Sequence, residues 1–221
     1  MRVNVSKCEF FADSIEYCGY VVNQHGIHKM QQKVDAIQNM PRPENREQVR
    51  AFLGLVNYYG RFMKNLSTKV YPINNLLKDK TPFEWTDACE RAFLWVKSEM
   101  QSERLLVHYD ANLPLVLATD ASPYGVGAVL SHLYSDGSER PIQYASQTLK
   151  ATQQKYSQVD KEAYAIIFGV RKFHQYLFGR KFILVTDNKP VVQIFSSDKG
   201  LPTLCALCMQ HYAVFLGSFD F

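Results

Sequence analysis

"LVLATDAS" (Leu115–Ser122) and "FILVTDNKP" (Phe182–Pro190) decide the reading of this 221-residue chain. Each is a run of apolar, β-prone residues that stops at Thr-Asp, the pattern of a buried strand ending in a carboxylate. Around them the order is strand 113–119, strand 125–134, a turn at "SDGS", strand 139–146, helix 158–178, strand 181–186 and helix 188–195, with a last helix at about 202–216 after "GLP". Three strands, a helix, then a further strand and helix describe an α/β unit with a mixed sheet.

Projecting 158–178 at about 100° per residue puts Glu162, Ile166, Gly169, Phe173, Tyr176 and Leu177 on one face. Asp160, Lys161, Arg171, Lys172 and His174 fall elsewhere. Glu162 therefore belongs to the apolar stripe, where a lone carboxylate is costly unless neutralised or coordinated. Asp120, Glu162 and Asp187, converging at one sheet edge, would repel one another and require a cation. Oxygen-only ligands, with no His or Cys among them, suit Mg²⁺ or Mn²⁺ rather than zinc. The competing reading makes each Asp a turn or cap residue and Glu162 a partner of the helix dipole. It serves for any one acid and less well for three together.

The first half has a different rhythm. In "EYCGYVVNQHGI" two β-prone pieces flank "NQHG", a hairpin signal. Residues 29–41 fit a short helix ended by Pro41, and 45–64 a strong one with Asn45 as N-cap and Gln48 three residues on. Thr86 caps another helix at 87–101. On 45–64, Arg46, Arg50, Gly54, Asn57 and Arg61 share one sector, while Val49, Phe52, Leu53, Val56 and Tyr59 occupy another. A row of guanidiniums interrupted by glycine suits a nucleic-acid backbone, since arginine pairs with phosphate and glycine permits close approach. A solvated helix face accounts for the pattern equally well.

With 47% hydrophobic and 13% aromatic residues the chain has material for a real core, which excludes the disordered classes. The net charge of +4 is compatible with a polyanionic partner. Five scattered cysteines (Cys8, Cys18, Cys89, Cys205, Cys208) read as reduced thiols rather than a disulfide framework. No apolar run approaches the roughly 20 residues of a membrane span. "MRVNVSKCEF" has no signal-peptide core and reads as a cut within a larger protein. "CALCMQH" offers Cys205, Cys208 and His211 at zinc-like spacing, but no fourth ligand follows and the spacing also suits a helix.

"LVLATDASPYGVGAVLSH", "RPIQYASQTL" and "YSQVDKEAYAIIFGVRKFHQYLFGRKFILVTDNKP" resemble, in order and without a gap, the RNase H domain of gypsy-type LTR-retrotransposon Pol polyproteins. Upstream, "KVDAIQNMPRPENREQVRAFLGLVNYYGRFMKNLS" and "PFEWTDACERAF" resemble the end of the palm and the thumb of the same reverse transcriptases, "FLGLVNYYGRF" most of all. The resemblance implies α/β (α+β overall) architecture: the end of the palm with a primer-grip-like hairpin over 1–28, a helical thumb/connection region over 29–110, and an RNase H-like domain with a mixed sheet flanked by helices over 111–221. Asp120, Glu162 and Asp187 match three of the family's four metal-binding acids. That implies two Mg²⁺ (or Mn²⁺) ions and hydrolysis of the RNA strand of an RNA–DNA hybrid.

The resemblance further makes Tyr17–Val22 the primer grip and lays the arginine-bearing helix along the template–primer minor groove. Ser122, Gln147 and Asn188 are candidates for polar contacts that read the 2′-hydroxyl, although each also suits an ordinary loop or cap. Lys161, Arg171, Lys172, Arg180 and Lys181 are read as a solvated charged face ahead of a phosphate track. The expected partners are hybrid, template–primer and the rest of the Pol polyprotein, with no membrane. The expected location is intracellular: cytoplasm, virus-like particle or nucleus.

Departures from the family pattern matter. The polymerase Tyr-x-Asp-Asp pair is absent, and the fourth carboxylate normally follows one more strand than "GSFDF" reaches, so the domain is expected to be incomplete at its C-terminus. Neither Asp198 nor Asp220 matches that ligand, and Asn188 stands where many relatives have His. Weak metal binding and low activity of this chain by itself follow as expectations. The alternative is a non-catalytic RNase H-like connection module that only holds nucleic acid.

Overall fold

Strand alternation sets the orientation of the second unit. In β4 (Leu115–Ala121), Leu115, Leu117, Thr119 and Ala121 turn one way and Val116, Ala118 and Asp120 the other. A computed structural model describes residues 8, 10–78, 82–195 and 207–221. β4 pairs antiparallel with β5 (Gly125–Leu133), which pairs antiparallel with β6 (Glu139–Thr148). On its other side β4 pairs in parallel with β7 (Phe182–Val185), giving the order β6-β5-β4-β7. This is the mixed sheet that the sequence predicts. β4 runs two residues past its expected end because Asp120 and Ala121 continue the ladder opposite Gly127 and Val126.

The long helix α7 (Gln158–Lys172) covers the Leu117/Thr119 face. Gly169 permits this close packing: a Cβ there would lie 3.0 Å from Thr119 Cγ2 and 3.2 Å from Ala128 Cβ. The helix starts at Ser157, whose Oγ accepts the Asp160 N–H at 3.2 Å. It stops at Lys172, short of the expected 178, and a separate turn α8 (His174–Leu177) follows. The break brings both Phe173 and Leu177 into the core, at 1% and 0% exposure. Between β6 and α7 lies α6 (Ala151–Gln154), and after β7 come α9 (Lys189–Phe195) and α10 (Leu207–Leu216). The expected start of the last helix, together with Cys205 and Asp198, lies outside the described residues.

The first unit holds a three-stranded antiparallel sheet, β1 (Ser14–Tyr17), β2 (Tyr20–Asn23) and β3 (Gly26–Lys29). The hairpin expected at "NQHG" is β2–β3, and a second tight turn at Cys18–Gly19 joins β1 to β2. Both turn residues have positive φ, 47° and 76°, as a two-residue hairpin turn of this hand requires. Helices α1 (Gln31–Gln38), α2 (Arg46–Tyr58), α3 (Leu66–Lys69), α4 (Tyr71–Asn75) and α5 (Asp87–Gln101) complete the unit. Asn45 caps α2 by accepting the Gln48 N–H, and Thr86 caps α5 through the Cys89 N–H, both as predicted.

The helix expected over 45–64 ends at Tyr58, and a 3₁₀ turn, Gly60–Phe62, follows. That bend buries Tyr59, Phe62 and Met63 with Val49, Phe52 and Val56 in one core, which Trp85 and Trp95 also join. The core of the first unit runs to Leu106, and that of the sheet unit starts at Val107. A backbone bridge between Ile27 and Leu106 ties β3 to this junction. Among the described residues no helix is long and apolar enough to cross a membrane.

Candidate active site

The two Thr-Asp motifs are equivalent by register. β4 and β7 run in parallel with Ala118 opposite Val185, so Asp120 and Asp187 each follow two residues beyond that pair, on neighbouring segments. Asp120 is half-buried and points away from α7; Asp187 is exposed just past β7. Glu162, the fifth residue of α7, reaches the same end of the sheet from the helix side. It is only 3% exposed, as its place on the apolar stripe predicts.

Gln158, one helical turn earlier, holds Glu162 in place. Its Nε2 donates to Glu162 Oε1 at 2.6 Å and to the Ala121 carbonyl at 3.1 Å, clamping the carboxylate to the end of β4. The other oxygen, Oε2, is buried and has no hydrogen-bond partner. Burial pushes the Glu162 carboxyl up to about 7. The Gln158 amide opposes that rise, the charges of Asp187 and Asp120 add to it, and a backbone contact at Ala121 opposes it. Asp187 and Asp120 therefore lie near enough to Glu162 for their charges to reach it.

This donor set fits a hard divalent cation in kind, being oxygen-only with one buried carboxylate oxygen lacking a partner. In arrangement it stops short: among the described residues no three His, Cys, Asp or Glu side chains group closely enough to hold one ion. Asp120 is engaged elsewhere: its Oδ2 accepts a hydrogen bond from Asn65 Nδ2 at 2.7 Å.

The other predicted residues separate into exposed and engaged. Ser122 is a turn residue: its Oγ donates to the Gly125 carbonyl or meets Thr68 Oγ1 at 2.8 Å, and accepts the Gly125 N–H. Gln147 stands on β6, 3.5 Å from the Tyr164 hydroxyl. Asn188 starts α9, its Oδ1 accepting the Val191 N–H.

In the arginine row, Arg50, Gly54 and Asn57 are exposed along α2, and nothing lies within 4 Å of a Cβ placed on Gly54. Arg50 and Gly54 line a groove shared with the Cys18–Gly19 turn. Arg46 departs from the row, its guanidinium donating to the Leu76 and Lys78 carbonyls. Arg61 lies beyond the helix, in the 3₁₀ turn, with its guanidinium over the Tyr20 ring at 5.5 Å. Tyr58 stacks on Tyr20 at 5.1 Å and Tyr59 is buried, donating to the Gly19 carbonyl.

Two basic residues do not lie on the solvated face. Lys161 is buried at 8% exposure, and Arg180 binds Tyr109 and the Ala111 and Leu113 carbonyls. Sequence reasoning missed Gln158 and Asn65. The first carried a signal, its four-residue offset from Glu162. The second carried none, since its partner is 55 positions away.

The family of RNase H-like domains found in reverse transcriptase matches residues 85–184. The chain is 34% identical over 196 residues to the retrovirus-related Pol polyprotein from transposon 412 of Drosophila melanogaster, covering 89% of this chain and 16% of that protein. It is 34% identical over 192 residues to the transposon Tf2-3 polyprotein of Schizosaccharomyces pombe, covering 86% of this chain and 14% of the relative. The chain thus spans about a sixth or less of these relatives' length. Among solved structures, a foamy viral protease–reverse transcriptase in complex with RNA/DNA hybrid matches 96% of this chain and 29% of its own, with TM-score 0.73 and 20% identity. The same enzyme type in complex with dsDNA matches 93% of this chain and 42% of its own, with TM-score 0.70 and 22% identity. These last likenesses are of fold. The family model and the retrotransposon relatives agree: residues 85–184 of this chain match the RNase H-like domains found in reverse transcriptase.

Proposed function

We propose that this chain is the thumb-side and RNase H part of a retroelement reverse transcriptase, and that Asp120, Glu162 and Asp187 serve hydrolysis of the RNA strand of an RNA–DNA hybrid. The observation that carries this reading is Glu162: a carboxylate 3% exposed, one oxygen without a partner, beside two further acids. Such a group is costly in a purely structural role, because an ordinary core position would be apolar or fully hydrogen-bonded.

In the reaction a water oxygen bonds to phosphorus, the bond to the 3′-oxygen breaks, and 3′-hydroxyl and 5′-phosphate ends result. The three acids would hold two divalent cations, which when bound neutralise the carboxylates and supply Lewis-acid assistance to attacking water and leaving oxygen. Gln158 keeps the Glu162 carboxylate against the end of β4. The exposed run Arg50, Gly54 and Asn57 offers the template–primer backbone one cation and a close approach. Gln147 and Ser122, near the same sheet end, would serve as polar contacts to sugar hydroxyls, Ser122 by giving up its turn bonds.

A second reading, a module that grips hybrid without cutting it, is favoured by the Asn65 amide on Asp120. Incubation with end-labelled RNA annealed to DNA separates the two. Cleavage that requires Mg²⁺ and vanishes in Asp120→Asn, with hybrid binding retained, supports hydrolysis. Binding that falls steeply with salt and no cleavage in either protein supports the gripping module. Cleavage undiminished in Asp120→Asn removes the acids from the reaction.

A further inference from the structure

We infer that the turn carrying Asn65 is an intramolecular plug, in which the Asn65 side-chain amide occupies the ligand position of Asp120 and must leave before a cation or hybrid can enter. The inference rests on the proposed ion-binding role of Asp120. Asn65 belongs to the helical unit and Asp120 to the sheet unit, so the contact joins two separately packed cores. The amide donates to Oδ2 at 2.7 Å, the short distance of a hydrogen bond to a carboxylate. A cation approaching Oδ2 along that direction has to displace the amide.

The sheet is shaped to receive this side chain. Gly127 is the cross-strand partner of Asp120, and a Cβ there would lie 1.8 Å from Asn65 Oδ1. Any larger residue at 127 would expel the amide. Gly125 repeats the arrangement one pair along the same face: a Cβ there would come within 3.0 Å of Thr68 Oγ1. Three further contacts hold the turn down. Thr68 Oγ1 meets Ser122 Oγ at 2.8 Å, the Ser67 N–H donates to Ser146 Oγ at 3.0 Å, and Tyr71 stacks on Tyr124 with centroids 4.2 Å apart.

The fastening is also reversible in character. Asn65 has φ 54° and ψ 34°, a left-handed conformation that asparagine tolerates better than most residues but that still carries strain. The contacts at Ser122 and Ser146 are hydrogen bonds that water can replace, while the Tyr71–Tyr124 stack is the apolar part of the fastening. In the closed state Asp120 Oδ2 has a partner and Glu162 Oε2 has none. Ion binding and closure of the turn are then linked: each weakens the other by the same factor.

The test is Mn²⁺ affinity by electron paramagnetic resonance, with amide hydrogen exchange over residues 65–71, on the whole chain. Asn65→Gly removes the amide and relieves the left-handed strain. It is expected to raise Mn²⁺ affinity about tenfold, the effect of losing one competing hydrogen bond to a carboxylate. Thr68→Val loosens the turn from its other end without touching an acid and is expected to give a smaller rise, about threefold. In the wild type, saturating Mn²⁺ is expected to speed exchange of the Ser67 and Thr68 amides. Unchanged affinity in both variants, with binding abolished by Asp120→Asn, overturns the plug and leaves the ion site standing. Absence of Mn²⁺ binding in every protein overturns the ion site and the plug with it.

Discussion

Replacing Glu162 by Gln probes the site without any substrate. In the metal-free protein the Glu162 carboxyl is raised from 4.5 to about 7, with burial the main cause. A rise of that size is worth on the order of 3 kcal/mol, at about 1.4 kcal/mol per unit. The folded chain holds a proton that the unfolded chain releases near pH 4.5, so this group's contribution is fully present below that pH and is lost as pH rises through about 7. Glutamine mimics the protonated form in shape and charge, keeps the hydrogen bond to Gln158, and cannot ionise. In chelator, urea denaturation of both proteins should coincide near pH 4.5. At pH 8 the variant should be more stable by on the order of 2–3 kcal/mol. Taking the difference cancels the carboxylates that do not interact with Glu162. Adding Mg²⁺ at pH 8 should narrow the gap by stabilising the wild type alone. A difference that stays flat from pH 4.5 to 8, or that favours the wild type in chelator, would refute the claim that Glu162 is a destabilising buried charge awaiting a cation.

Further expectations concern the scaffold and the nucleic-acid face. Gly26→Ala, at φ 144° with the Leu106 carbonyl oxygen in the way of the added Cβ, should cost about 2–4 kcal/mol in urea denaturation by parting β3 from its backbone bridge to Leu106. Gly169→Val should push α7 from Thr119 and Ala128, cost about 1–3 kcal/mol in the same assay, and lower Mn²⁺ affinity by displacing Glu162. Arg50→Ala should weaken hybrid binding in fluorescence anisotropy and reduce the salt slope by about one, with stability changed by under about 0.5 kcal/mol. Arg46→Ala should do the reverse: the tie to the Leu76 and Lys78 carbonyls is lost, stability falls by about 1–3 kcal/mol and the salt slope is kept.

Much of this was legible in the sequence because its causes are local or periodic. Caps at Asn45 and Thr86 fall next to the residues they bond, and the apolar stripe of α7 follows from a repeat of 3.6. The equivalence of the two Thr-Asp motifs was readable because parallel strands with like patterns stop alike. Helix ends were not. The 45–64 and 158–178 patterns stay helical in periodicity, yet the chain bends at Tyr59 and Phe173 to bury large aromatics from both sides of the break. Lys161 shows the limit of projection: its sector is polar, but the neighbouring elements bury it. Arg46 and Arg61 left the row for tertiary reasons, a pair of carbonyls and a tyrosine ring. The approach of Asn65 to Asp120 depends on how two units dock, which no periodicity encodes.

The most direct test of a shared ion site is a Mn²⁺ titration, read by electron paramagnetic resonance, of the wild type and of Asp120→Asn, Glu162→Gln and Asp187→Asn separately. Each variant is predicted to lose at least about tenfold in affinity, because carboxylates in one coordination shell set the binding charge together. Equal Mn²⁺ affinity in all four proteins, or a loss confined to one of the three, would contradict it.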